Sequence, residues 1–188
     1  MFCSLEELLT ESDVEQKLLW PLLTTAPPNG VGLVAADILT KLSIRRLEIN
    51  KETSNKLYYL DYMVVLAGLP VLVIEAKAMN ESVEQGLAEA RLYGTELNAL
   101  FPSGINPCVR VIACNGRVLQ SAPVDTADPN ITLQFADISA GNTLFARLID
   151  TCRRTVLQGY ADEVRLMHVP YRRQSGRCRP VERSDAPA

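Results

Sequence analysis

One stretch constrains this chain more than any other: residues 58–78, YYLDYMVVLAGLPVLVIEAKA. Two runs rich in aromatic and branched residues stand on either side of AGLP, the pattern of two strands joined by a tight turn. Asp61 lies in the first run, and Glu75 and Lys77 close the second. Charged side chains are rarely fully buried unless they are paired or hold a metal. Alternation along a strand puts Glu75 and Lys77 on one face with Val71 and Val73, and turns Leu72 and Ile74 to the other. If Leu66 pairs with Pro70 across a three-residue turn, Asp61 falls opposite Glu75, about 5 Å away on the same face. A two- or four-residue turn shifts Asp61 out of register with Glu75 and aims it the other way. A shared site therefore requires an odd turn or a bulge.

Two carboxylates that close repel each other unless a cation lies between them. Mg²⁺ or Mn²⁺ would convert them into ligands, with the backbone carbonyl of Ala76 as a third oxygen. Lys77 would then stand beside the reacting water, to orient it, assist its deprotonation or offset charge on a phosphate. An ordinary lysine pKa of about 10.4 is too high for an efficient base, so a base role requires a lowered pKa and charge stabilisation stands beside it. The competing reading is a solvated rim or ion pair at strand ends, which a bare D…ExK pattern more often makes. Against it, the acid emerges from VLVI, a buried strand, at the carboxyl end where α/β sheets place ligands.

The remainder reads as an α/β domain with a mixed central β-sheet flanked by helices. Ser4 with Glu7 and Ser12 with Glu15 fit capping boxes, so ESDVEQKLLWPLL starts a helix that Pro21 kinks or ends. Residues 35–43 are ambiguous, 44–50 fit a strand and KETSN a polar turn. Residues 82–99 read as a helix through Val83, Leu87, Ala90 and Leu97. VRVIAC (109–114) reads as a buried strand, Asn115-Gly116 as a hairpin turn into RVLQSA, and ITLQFADI as a further strand. Residues 143–158 read as one amphipathic helix through Leu144, Leu148, Cys152 and Val156. The domain spans 1–170, and an Arg- and Pro-rich tail, 171–188, is expected to be disordered.

Composition excludes several functions. The single His168 rules out chemistries that need paired histidines within this chain. No nucleotide-binding glycine loop, hydrolase elbow or zinc motif occurs, so a motor would belong to another chain or segment. The cysteines Cys3, Cys108, Cys114, Cys152 and Cys178 are odd in number and scattered, which favours reduced thiols and a cytoplasmic setting. No membrane span or secretory signal is visible. The formal charge of −3 divides unevenly. Residues 1–142 hold 10 Lys and Arg against 17 acids, and residues 143–188 hold 9 Arg against 5 acids. The acidic part is a poor partner for a polyanion unless cations intervene.

Residues 58–78, followed by a helix with a polar stripe, resemble the PD-(D/E)XK nuclease superfamily. Within it the nearest likeness is to the N-terminal nuclease domain of type I restriction enzyme R subunits, over residues 10–140. The resemblance implies a restriction-endonuclease-like core and Mg²⁺-dependent DNA cleavage. It assigns Asp61, Glu75 and Lys77 as catalytic, and it adds Glu15 to the metal ligands already read as Asp61, Glu75 and Ala76. A capping role for Glu15 is the alternative. On the following helix the family's Gln-x-x-x-Tyr is matched by Tyr93, with Glu89 in the glutamine position and Gln85 one turn earlier; these three are the substrate-binding candidates. Leu60 stands where the family has proline. The implied partners are DNA and further protein subunits, such as a motor or specificity chain, in restriction or phage defence. A non-catalytic DNA-binding or assembly module that keeps the nuclease fold, and an RNA target, are the other readings.

Overall fold

A computed structural model describes residues 2–40 and 60–175. The first helix, α1, runs without a break through Glu11–Asp13, Val14–Leu19 and Trp20–Thr24. Its cap is not the one expected. Thr10 is the N-cap, its hydroxyl accepting from Asp13 N–H while Asp13 Oδ2 accepts from Thr10 N–H at 2.9 Å. Ser12 lies inside the helix, so Glu15 is released from any capping duty. The middle stretch is a π-helix, in which the amide of Trp20 reaches the carbonyl of Glu15. Pro21 explains the wide turn: it has no N–H for Lys17 O, and its ring would crowd that carbonyl in a regular helix.

Ala35–Asp37 makes one 3₁₀ turn and leads into β1 (Ile38–Thr40). The strand expected at 44–50, the turn after it and residues 57–59 lie outside the described residues. β2 (Tyr62–Leu66) and β3 (Leu69–Ala76) form the hairpin. Its turn is Ala67-Gly68, two residues long, with φ of 51° and 79°. That is the type I′ geometry matching strand twist. Leu66 pairs with Leu69, rather than Pro70, but the register shifts between Val64 and Val65, and from there Val64 faces Leu72 and Tyr62 faces Ile74. One extra residue on β3 thus restores the register that a three-residue turn would have set.

Helix α2 (Val83–Ala99) crosses over to β4 (Arg110–Cys114), which lies parallel to β3. Ser82 caps α2, and Val83, Leu87, Ala90, Tyr93 and Leu97 form its buried side. The turn at Asn115-Gly116 returns the chain in β5 (Val118–Pro123); Gly116 has a φ of 83°, and Asn115 Oδ1 accepts from both Arg117 and Val118 N–H. β6 (Ile131–Gln134) completes a six-stranded sheet ordered β1-β2-β3-β4-β5-β6, antiparallel except at β3/β4. The expected α/β fold with a mixed sheet packed against helices is what the chain adopts.

The last helical segment differs from its reading. Helix α3 (Thr143–Cys152) ends at Arg153, whose ψ of 146° breaks the run, and α4 (Arg154–Ser175) begins immediately after. Leu148 and Cys152 are buried as expected, and Leu144, in the first turn of α3, is not; the break resets the helical phase, so Val156 is exposed as well. Leu157, Ala161 and Val164 carry the buried side instead. Asp37 is a buried acid that ties α4 to the start of β1, because Arg154 Nε and Nη2 donate to its two oxygens at 2.6 and 3.3 Å. Three layers result. α2 covers one sheet face over Met63, Val73, Val111, Ala113 and Ala122, and α1, α3 and α4 cover the other over Val64, Leu72, Ile74, Ile112 and Leu133. Among the described residues no helix is long and apolar enough to cross a membrane.

Candidate functional site

Asp61 precedes β2 by one residue, and Glu75 is the second-last residue of β3. Continuing the register from Tyr62↔Ile74 sets Asp61 opposite Glu75, as a shared site on one face requires. Both are buried, Asp61 2% and Glu75 4% exposed. The chain has already left the ladder at Asp61, and its Oδ2 accepts from the N–H of Ala76 at 2.6 Å. Ala76 therefore meets Asp61 through its amide. Glu75 Oε1 accepts from Lys77 Nζ at 2.8 Å, while Glu75 Oε2 is buried with no hydrogen-bond partner.

Two acids arrive from the opposite layer. One carboxylate oxygen each from Glu11, Glu15 and Asp61 lies within 4.8 Å of the others. Glu15 thus joins Asp61, as the resemblance implied, and Glu11 joins as well. Sequence reading missed Glu11, although its i, i+4 spacing from Glu15 puts the two on one helical side and was there to be seen. β2 pins this part of α1: the hydroxyl of Tyr62 donates to the carbonyl of Glu15 at 3.2 Å, and the rings of Tyr62 and Trp20 pack with centroids 6.1 Å apart.

The stripe on α2 supplies the remaining wall. Glu89 Oε2 pairs with Lys77 Nζ at 2.8 Å, and Gln85 Nε2 donates to Glu89 Oε1 at 3.2 Å. Tyr93 is only 2% exposed and belongs to the core on the α2 side of the sheet rather than to a surface. Helix and lysine approach closely because residue 86 is glycine: a Cβ there would stand 3.1 Å from Lys77 Cγ and 3.4 Å from Ala113 Cβ.

Electrostatics follow from this crowding. Burial first, and then the charge of Asp61, push the Glu75 carboxyl up to about 8. Burial works against the Lys77 ammonium, but its bonds to Glu75 and Glu89 outweigh burial and hold it above the ordinary lysine range. The two shifts pull against each other, because a neutral Glu75 offers Lys77 less. Glu89, whose side chain is 22% exposed against 5% for Glu75, gives Lys77 a second carboxylate partner. Burial, with Glu75 and Glu89 nearby, also raises the Tyr93 phenol.

The donor set is all oxygen, the preference of Mg²⁺ and Mn²⁺ rather than of softer metals. The orphaned Glu75 Oε2 is what a cation would satisfy, since a buried polar atom without a partner is costly. Among the described residues no thiol joins this group of acids. Cys108, Cys114 and Cys152 are buried core residues, and the side chain of His168 lies outside the described residues. Comparison with family models, with curated proteins and with solved structures gives no match.

Proposed function

We propose that this chain is a Mg²⁺-dependent endonuclease domain of the PD-(D/E)XK kind that hydrolyses phosphodiester bonds in DNA. What supports the reading is the register that sets Asp61 opposite Glu75, whose Oε1 holds Lys77, together with Glu11 and Glu15, each with a carboxylate oxygen within 4.8 Å of one on Asp61. Mg²⁺ bound there supplies Lewis-acid polarisation of a phosphate and a more acidic water. Asp61 and Glu75, helped by Glu15, Glu11 and the Ala76 carbonyl, provide the oxygens to hold it. Lys77 stays charged at neutral pH, because its pKa is raised rather than lowered. It therefore offsets negative charge at the scissile phosphate instead of removing a proton. Gln85 and Glu89 line the approach, and Tyr93 packs in the core on the α2 side of the sheet.

Resemblance alone suggests the setting: restriction or phage defence, with a separate motor or specificity chain. One observation favours a second reading, a binding or assembly module without activity. Glu89 places another negative charge beside Lys77, where an incoming phosphate would be repelled.

The test is nicking of supercoiled plasmid in Mg²⁺ or Mn²⁺. Wild type should cut, and Asp61→Ala and Lys77→Ala should each lose at least about a hundredfold in rate, the scale of single catalytic groups. Equal behaviour of all three proteins leaves the non-catalytic module. Cleavage of RNA but not DNA moves the substrate class and keeps the chemistry.

A further inference from the structure

We propose that Glu89 is the positioning residue for Lys77: it keeps the ammonium in place when Glu75 turns to a cation. The inference rests on the nuclease reading above. An ammonium has three N–H donors. In this structure two are committed, to Glu75 Oε1 and Glu89 Oε2, both at 2.8 Å. Glu75 cannot serve a cation fully and hold the lysine unchanged, because its Oε2 alone is unengaged. Glu89 sits on α2, on the far side of the lysine from β3, and its other oxygen is fixed by Gln85. The lysine stem cannot easily retreat, since α2 packs against it at Gly86. Glu89 thus offers Lys77 a second, independent anchor, and the third N–H remains for a phosphate oxygen. The departure from glutamine at position 89 is then a gain of lysine control, not a loss of activity.

The experiment uses the full chain with Glu89→Ala, Glu89→Gln and Gln85→Ala. Plasmid nicking gives rates, Mn²⁺ titration calorimetry gives metal affinity, and ¹⁵N-resolved ammonium NMR follows Lys77, assigned by its loss in Lys77→Ala. Glu89→Ala should lower the rate about 10- to 100-fold, with Mn²⁺ affinity within about threefold of wild type. Glu89→Gln keeps an acceptor oxygen and should recover most of the rate; Gln85→Ala should fall only a few-fold. The Lys77 signal should persist in wild type when Mg²⁺ is added and broaden away in Glu89→Ala. A faster Glu89→Ala enzyme would make Glu89 a repulsive group and overturn the proposal. A large loss of Mn²⁺ affinity would make it a metal ligand and do the same. If no protein cuts nucleic acid, the nuclease reading fails, and the NMR arm still decides whether Glu89 holds the lysine.

Discussion

Replacing Glu75 by glutamine should stabilise the metal-free protein, and by an amount that depends on pH. The ordinary carboxyl value of 4.5 is raised to about 8 in the fold. From pH 4.5 upward the unfolded chain gives up this proton while the folded chain keeps it. Stability therefore falls as pH rises, and levels off above about 8. At about 1.36 kcal/mol per pH unit the whole shift corresponds to a ceiling near 5 kcal/mol. The Glu75→Gln variant also gives up the ion pair with Lys77, whose loss takes back part of that gain. The net stabilisation expected at pH 8.5 is about 2 kcal/mol, roughly 4–8 °C in Tm for a chain of this size. At about pH 5 the difference should nearly vanish. The assay is thermal unfolding by circular dichroism at half-unit pH steps in EDTA, repeated with Mg²⁺. Added Mg²⁺ should raise wild type and leave the variant almost unchanged. A Tm difference that is flat from about pH 5 to 8.5, or a variant less stable throughout, would refute the electrostatic argument.

Further outcomes follow from single features. Gly86→Ala should leave Tm within about 2 °C, because the helix gains up to about 1 kcal/mol of propensity while the Lys77 stem is crowded; its nicking rate should fall. Ala67→Gly should stabilise by about 1 kcal/mol in chemical denaturation, since alanine is held at a φ of 51° in the hairpin turn. Tyr62→Phe removes the bond to Glu15 O, and should cost about 1 kcal/mol and weaken Mn²⁺ binding measured by calorimetry. Cys108 and Cys114, pushed up to about 12, and Cys152, up to about 11, all by burial, should resist Ellman's reagent at about pH 8 until the chain is unfolded.

The hairpin shows why part of this molecule can be read from its sequence. Apolar alternation in YMVVL and VLVI specifies two strands, and AGLP their turn, because burial fixes which face each residue takes. Whether Asp61 met Glu75 hung on one residue of register. That residue is a bulge on β3 next to Pro70, whose missing N–H in an interior strand is the one local mark of it. The cap of α1 differed for a related reason: Ser12-x-x-Glu15 and Thr10-x-x-Asp13 both have capping chemistry, and the helix uses the second. Once Thr10 takes the cap, Glu15 becomes available and Glu11 comes with it. The split of the last helix was hidden because Arg153 has no breaker chemistry, and both halves are amphipathic on their own. The clasp of Lys77 by Glu89 depends on packing between a helix and a strand, which helical spacing alone does not determine.

The central claim is that these acids hold a divalent cation. Crystals grown in Mn²⁺ and measured at the manganese edge test it directly. The account predicts an anomalous peak about 2 Å from carboxylate oxygens of Asp61 and Glu75, with Glu15 or Glu11 beside it and Lys77 still on Glu89. A map with no peak among these residues at millimolar Mn²⁺, or with Glu75 unmoved and its Oε2 still alone, would contradict it.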